Sequence, residues 1–553
     1  MSLSKFLLLT LGKTGRCGLL LVFLCTADVG FARPIEQAVE SAARYFESVR
    51  NHPPALREFL WRMPKGADLH SHLSGAVYAE TYLDNAVEDR LCVNLTSFAL
   101  FDPEPLSQAD KTRQPVCPQH SRPAAVVLND QNLYDAVVNA LSMRSFAAGN
   151  GVSGHDHFFA SFAKFDAVSS THLGEWLLEV ANRAARQNEQ YLELMQSGNF
   201  DHTKEIAQKI GWLHDFTAQR NALLGMGLRD DIAVYSRNLD HGEQRLQQLA
   251  RCGGALAEPA CQVEIRYLYQ ILRGYPKAEV FAQALLGFEI ASQDPRVVGI
   301  NLVMPEDGRI ALQDYSLHMR MIGFLHNIYP KVHISLHAGE LSFGQVPPDR
   351  LCCHVREAVQ IAHAERIGHG VDVLYEHQPY ALLKELADKH VLIETNLTSN
   401  AVILGIDYPN HPFPVERRFA VPVALSTDDE GVSRIDLTHE FVRAASTYRL
   451  SYADLKQMVR AGLEHSFLPG VSLWDQADRF DAPVAACARD RLGGDTPSPD
   501  CALLLKTSEK ARQQWLLEQR FRQFETEVAV QAIGNLSRLS IGHAPINTAK
   551  PGS

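Results

Sequence analysis

Residues 66–75 read GADLHSHLSG, with His70 and His72 separated by one residue. In a β-strand, side chains at i and i+2 share a face, so two imidazoles spaced this way converge on one point. That is metal-ligand geometry when the chain supplies further ligands. Candidates follow downstream: His337 and Glu340 in HAGE, His369 in GHG, and Asp428 and Asp429 in STDDEG. Three neutral imidazoles and one carboxylate make a good Zn²⁺ set that leaves a position for water. His70, His72, His337 and Asp428 would supply it. Zn²⁺ held in this way brings the pKa of its water down to about 7. His369 would then orient the hydroxide and take its proton. Glu340, past the end of its strand, would be a general acid facing the substrate rather than the metal. Asp429, at a strand end, can swing toward a ligand. Taken singly these fragments say little: an isolated HxH is commonly an accident, and paired aspartates before glycine commonly make a turn. Together, in this order and each at the end of its own strand, they describe a site.

The elements that must position these residues alternate between short β-like runs and longer helical patterns. The runs are 66–73, 190–195, 262–272, 297–303, 333–340, 365–370, 391–399 and 421–429. Stretches such as AEVFAQALLGFEIA (278–291) and YALLKELADKH (380–390) carry helical periodicity between them. Eight β/α units with strands buried on both faces predict an α/β fold, a TIM (β/α)8 barrel. Its functional groups belong at the C-terminal ends of the strands, where the polar residues cluster. We expect a barrel over 63–470, an inserted lobe at about 87–130 after the first strand, a helical N-terminal extension at 33–62 and a C-terminal extension at 471–553. The last includes a charged helix at 508–533.

The chain has 553 residues, 46% hydrophobic and 21% charged, which is enough for a sizeable core. A formal net charge of -11 disfavours polyanions, so nucleic acid is not an expected partner. Lys5, Lys13 and Arg16 precede the apolar run GLLLVFLCTA, and small residues end the segment before Arg33. This predicts a signal peptide, residues 1–32, cleaved near Ala32, and a secreted or periplasmic protein. A membrane anchor is the alternative, against which the shortness of the apolar run argues. Cysteine usage agrees with export. Eight cysteines remain after the leader, and sequence-near pairs suggest bridges 92–117, 252–261 and 487–501; free buried thiols are the alternative.

The segments MPKGADLHSHLSG, SLHAGE, RIGHG, TSNAVIL and STDDEGV resemble the metallo-dependent adenosine/AMP deaminase family, over roughly residues 60–470. The leader and the cysteine-bearing insertion are similar to its secreted, adenosine deaminase-related growth factor branch. The resemblance implies hydrolytic deamination at C6 of a purine nucleoside, adenosine or 2'-deoxyadenosine, with one Zn²⁺ per chain on His70, His72, His337 and Asp428. It implies that Glu340 protonates ring N1, His369 positions the hydroxide and Asp429 meets N7. Gly75 falls on the motif glycine. HDHFFASFAKFD (155–166) resembles the aromatic helix at the family's pocket mouth, with Phe159 and Phe162 placed to stack on base or ribose; ordinary helix packing is the competing account. Residues 33–62 occupy the position of a dimerisation segment, which fits a homodimer.

Three departures bear on substrate. Ser74 stands where the family has a ribose-contacting aspartate, Met304 where it has a glycine whose backbone approaches the purine, and Glu430 where a proline follows the paired aspartates. AMP, adenine or a modified adenosine are therefore alternative substrates. An AMP-type enzyme needs a cationic clamp, for which Arg417 and Arg418 are candidates. A non-catalytic nucleoside-binding protein is the alternative of a different class; the presence of every ligand and of Glu340 argues against it.

Overall fold

Apolar runs buried on both faces need cover on both sides, and here helices supply it around a closed ring of strands. The computed structural model describes residues 29–103, 116–149, 151–168 and 170–541. Most of the expected leader, residues 1–28, lies outside the described residues. Eight strands run in chain order around the ring: β1 (Gly66–His72), β2 (Glu189–Gln196), β3 (Glu264–Leu272), β4 (Val297–Val303), β5 (His333–Ala338), β6 (Arg366–His369), β7 (Leu392–Thr395) and β8 (Val423–Leu425). Each is parallel to the next. The ring closes between the end of β1 and the residues after β8. Ser71 bridges to Asp428, the His72 N–H donates to the Asp428 carbonyl at 3.0 Å, and the Asp428 N–H donates to the His70 carbonyl at 2.8 Å. The seam of the barrel is thus made by residues of the HxH and DD motifs themselves. This is the TIM barrel that the alternating runs predict.

Two strands are shorter than their apolar runs. The 391–399 run is strand only to Thr395 and then becomes the helix Leu397–Ile403. The 421–429 run is strand only over Val423–Leu425, and Asp428 has φ +60°. Both runs leave the sheet where they become polar: Thr398 bonds Glu440 of the helix Leu437–Thr447, and Thr427 Oγ1 donates to Asp68 at 2.6 Å.

The connection after β1 holds helices Ala79–Glu88, Gln131–Ala140 and Gly154–Phe165, and a small antiparallel sheet tied by Cys92–Cys117. Cys252–Cys261 and Cys487–Cys501 are also bonded, as the spacing suggests. Cys352 and Cys353, for which no partner was expected, are bonded to each other. At the ends of the chain, helix Val29–Val49 packs along helix Glu509–Ile541, which runs past the expected end at 533. Phe46 and Phe59 meet Tyr452 and Phe524, which joins both extensions to the barrel's last helix, Tyr452–Glu464. Among the described residues no helix is long and apolar enough to cross a membrane.

Candidate active and metal site

The C-terminal ends of β1 and β5 and the turn after β8 bring His70, His72, His337 and Asp428 together, all buried. Nε2 of His337 lies 3.1 Å from Nε2 of both His70 and His72. Asp428 Oδ1 lies 3.4 Å from His70 Nε2 and 3.3 Å from His72 Nε2. Four ligands at 2.0–2.1 Å around a tetrahedral zinc stand about 3.3 Å apart. The spacing fits.

The other ring nitrogens show why these contacts are not hydrogen bonds between imidazoles. His70 Nδ1 meets Glu394 Oε2 at 2.7 Å, His72 Nδ1 meets Gln270 Oε1 at 2.5 Å, and His337 Nδ1 meets Asn301 Oδ1 at 2.8 Å. Each Nδ1 faces an acceptor and carries a proton, so in the neutral rings each Nε2 aims a lone pair at one centre. Three converging lone pairs and a carboxylate call for a cation. The charge balance says the same. Burial opposes a charge on His70, yet Asp428 and Glu394 outweigh it and lift its pKa to about 10. A cation held by these four residues would supply that positive charge in place of the proton.

Gln270, Asn301 and Glu394 were missed at the level of sequence. Each is a polar residue inside an apolar strand run, and a buried polar group without a partner is costly, which is the signal that could have found them. Their orientations are fixed in turn. Gln270 Nε2 donates to Ser197 Oγ at 2.8 Å. Glu394 accepts from Ser335 Oγ at 2.9 Å and Arg366 Nε at 2.6 Å, and Arg366 also pairs with Glu193 at 2.6 Å.

Around the four ligands lie the remaining candidates. Glu340 is buried beyond β5. Burial, with the Asp428 charge, pushes its pKa well above the usual carboxylate range. Its backbone N–H donates to Glu306 Oε2 at 2.9 Å, and that of Gly339 to Glu306 Oε1 at 3.0 Å. Glu306, also missed from sequence, therefore holds the turn that carries Glu340. Burial works against its charge, but Arg273 and His354 hold its pKa at about 2. His369 ends β6 with φ +73°, its Nε2 3.7 Å from Glu340 Oε1 and 3.8 Å from Asp428 Oδ2. Burial lowers its pKa to about 3, leaving a neutral ring. Burial above all, with the Asp428 charge working against the pull of His72, lifts Asp429 to about 8. Asp429 Oδ1 has no partner, and a Cβ on Gly75 would stand 1.5 Å from it, so the motif glycine makes room for this carboxylate.

Met304, after β4, has φ +83° and is 38% exposed. A methionine here keeps the left-handed backbone that a glycine takes freely. Ser74 is half-buried after β1, with its carbonyl accepting from Tyr82 Oη at 2.6 Å. Glu430 does not face the pocket: it is buried and paired with Arg183 at 2.7 Å. Phe159 and Phe162 are half-buried on the helix Gly154–Phe165, which packs on Leu397–Ile403 beyond β7. Arg417 is committed to Asp454 of the outer helix at 2.5 Å. A separate cleft of about 620 Å³ lies at the strands' N-terminal ends, away from the histidine cluster. Three of its histidines are paired locally, His333 with Glu365 and both His390 and His465 with Asp478.

A family model described as adenosine deaminase matches residues 231–479, which include His337, Glu340, His369 and both aspartates. Over that stretch the chain is similar to the adenosine deaminase family. The adenosine deaminases of two Clostridium perfringens strains, ATCC 13124 and 13, are each 34% identical over 135 residues, 24% of this chain. The match spans 37% of the length of these relatives. Among solved structures, Arabidopsis ADAL complexed with GMP is 18% identical at a TM-score of 0.49, covering 74% of this chain and 94% of that one. Adenine deaminase from Arthrobacter aurescens is 14% identical at 0.46, covering 73% and 94%. An amidohydrolase from Burkhoderia ambifaria with bound Zn is 17% identical at 0.47, covering 75% and 88%. HxH on β1 lies outside the matched span of the deaminase model, and the barrel seam brings it to the residues inside that span.

Proposed function

We propose that this chain is a zinc-dependent aminohydrolase that converts adenosine and 2'-deoxyadenosine to inosine and 2'-deoxyinosine with release of ammonia. The observation that carries the proposal is the set of four candidate ligand atoms, four of their six pairs 3.1–3.4 Å apart and all within 4.8 Å, with Glu340 and Asp429 buried beside it in a deaminase-type domain. His70, His72, His337 and Asp428 would hold one Zn²⁺. When bound, it supplies an activated water at neutral pH.

The protein's own groups do the rest. Burial keeps a proton on Glu340, which gives it to ring N1 and makes C6 electrophilic. Asp429, lifted to about 8, carries a proton at neutral pH and donates it in a hydrogen bond to N7. His369 orients the attacking oxygen. Glu306 fixes the backbone from which Glu340 reaches the base. Ser74, Gly75, Met304, Phe159 and Phe162 are assigned to the walls that select the nucleoside. The tie of Arg417 to Asp454 favours a neutral nucleoside over AMP, since it takes away a candidate phosphate clamp. The leader and the cysteine pairs support export to the periplasm or medium, and the N-terminal extension supports a homodimer.

The test is ammonia release by the purified mature chain from adenosine, 2'-deoxyadenosine, AMP and adenine offered in parallel. The proposal expects the two nucleosides to lead. AMP or adenine in first place replaces the substrate, and silence on all four leaves a binding role.

A further inference from the structure

His369 is fully buried, and its two ring nitrogens face different neighbours. Nδ1 faces side-chain amides, Asn400 Nδ2 at 2.9 Å and Asn396 Nδ2 at 3.5 Å. Nε2 has no hydrogen-bond partner and points into the site. Which nitrogen carries the proton is decided outside the site. The backbone N–H of Phe413 meets His411 Nδ1 at 3.2 Å. A backbone N–H can only donate, so this Nδ1 accepts, and the proton of the neutral His411 ring sits on Nε2. That Nε2–H meets Asn400 Oδ1 at 3.0 Å. The amide oxygen of Asn400 is thereby turned to His411 and its nitrogen to His369. An amide NH₂ also only donates, so Nδ1 of His369 accepts. His411 and Asn400 are themselves buried, which keeps water from supplying other partners.

We infer that Phe413, His411 and Asn400 form a one-way hydrogen-bond relay that fixes His369 as its Nε2–H tautomer, so that His369 donates to the oxygen attacking the purine and is not the base that deprotonates it. The tautomer rests on these hydrogen bonds alone; its place in a reaction rests on the deaminase reading. The expectation from sequence, that His369 takes the proton, is revised accordingly. In the proposed step the water oxygen bonds to C6, the C6–N1 double-bond pair passes to N1, and N1 takes the proton of Glu340. The proton shed by the water then goes to the emptied Glu340 carboxylate. Asn400 and His411 touch no reacting atom and are positioning residues.

The test is ¹⁵N NMR of the histidine-labelled, zinc-loaded chain near neutral pH, with the His369 signals assigned by their loss in His369→Gln. We expect Nδ1 in the unprotonated range and Nε2 in the protonated range. A protonated Nδ1, alone or together with Nε2, overturns the inference. Asn400→Asp replaces the amide donor by a carboxylate oxygen and should draw the proton to Nδ1. Its kcat should fall by up to about 10⁴-fold, the scale of the wrong-tautomer variant of a serine-protease triad, with KM and zinc content unchanged. An Asn400→Asp enzyme with wild-type kcat also overturns it. If that variant does not fold, the wild-type spectrum decides alone. If the wild type releases no ammonia from any adenine compound, the deaminase reading fails while the spectrum still decides the tautomer.

Discussion

Each imidazole of the cluster spends one nitrogen on a fixed acceptor and the other on a shared centre, which separates ligands from histidines that are merely close. His70→Ala or His72→Ala should therefore lose metal and activity together, read by metal analysis beside ammonia release. Glu340→Gln should keep the metal and lose about 10²–10⁴-fold in kcat, the range of one general acid; parallel loss of metal would assign Glu340 to the metal instead. Gly75→Ala would press a methyl group onto Asp429, 1.5 Å from its Oδ1. We expect KM for adenosine to rise with metal content unchanged, and an unaltered KM would remove Asp429 from the substrate contacts. The clustering of His70, His72, His337 and Asp428 with Glu340 and Asp429 beside them was legible in the sequence because histidines and paired aspartates at strand ends have few structural reasons to be there. Gln270, Asn301, Glu394, Glu306 and Asn400 were not. Gln270, Asn301 and Glu394 are single polar residues in apolar runs, with a partner up to 324 residues away for Glu394 and His70, and nothing local marks the partners of Glu306 and Asn400.

Strand and helix ends decide where these side chains aim. Met304, His369 and Asp428 all have positive φ, at +83°, +73° and +60°. Left-handed backbone costs a non-glycine residue about 1–2 kcal/mol, and such strain concentrates where side chains must be directed. The eight strands were legible from their apolar runs, but the early ends of β7 and β8 were not, because the turn into the mouth is imposed by neighbouring strands. Glu430, which stands where the family has a proline, ties the turn after β8 to Arg183 of the helix Leu173–Arg186. Glu430→Ala should cost about 2 kcal/mol, the worth of a charge-assisted hydrogen bond, and lower Tm with little change in KM. Glu440 joins helix Leu437–Thr447 to Thr398 of the helix beyond β7. Burial raises its pKa to about 7, against the pull of the Thr398 hydrogen bonds. Between pH 7 and its ordinary value near 4.5 the folded state holds a proton that the unfolded chain has released, so this group adds stability as pH falls through that window. Glu440→Gln should lose that contribution, seen as a smaller rise (or larger fall) in Tm from pH 7 to pH 5 than in the wild type.

The molecule as a whole is a barrel closed at its functional seam, since Ser71 and Asp428 join the first and last strands beside the ligands they position. The barrel class was legible from the β/α alternation. The packing of helix Val29–Val49 on Glu509–Ile541 and the Cys352–Cys353 bond were not, because nothing local marks which distant faces meet or that adjacent cysteines pair with each other. The measurement that tests the central claim most directly is ammonia release from adenosine by the purified mature chain, with its metal content determined in the same sample. It is made before chelation, after chelation and after zinc is returned. We expect one zinc per chain, activity lost with the metal and restored with it. Full-rate deamination by the metal-free chain would contradict the account.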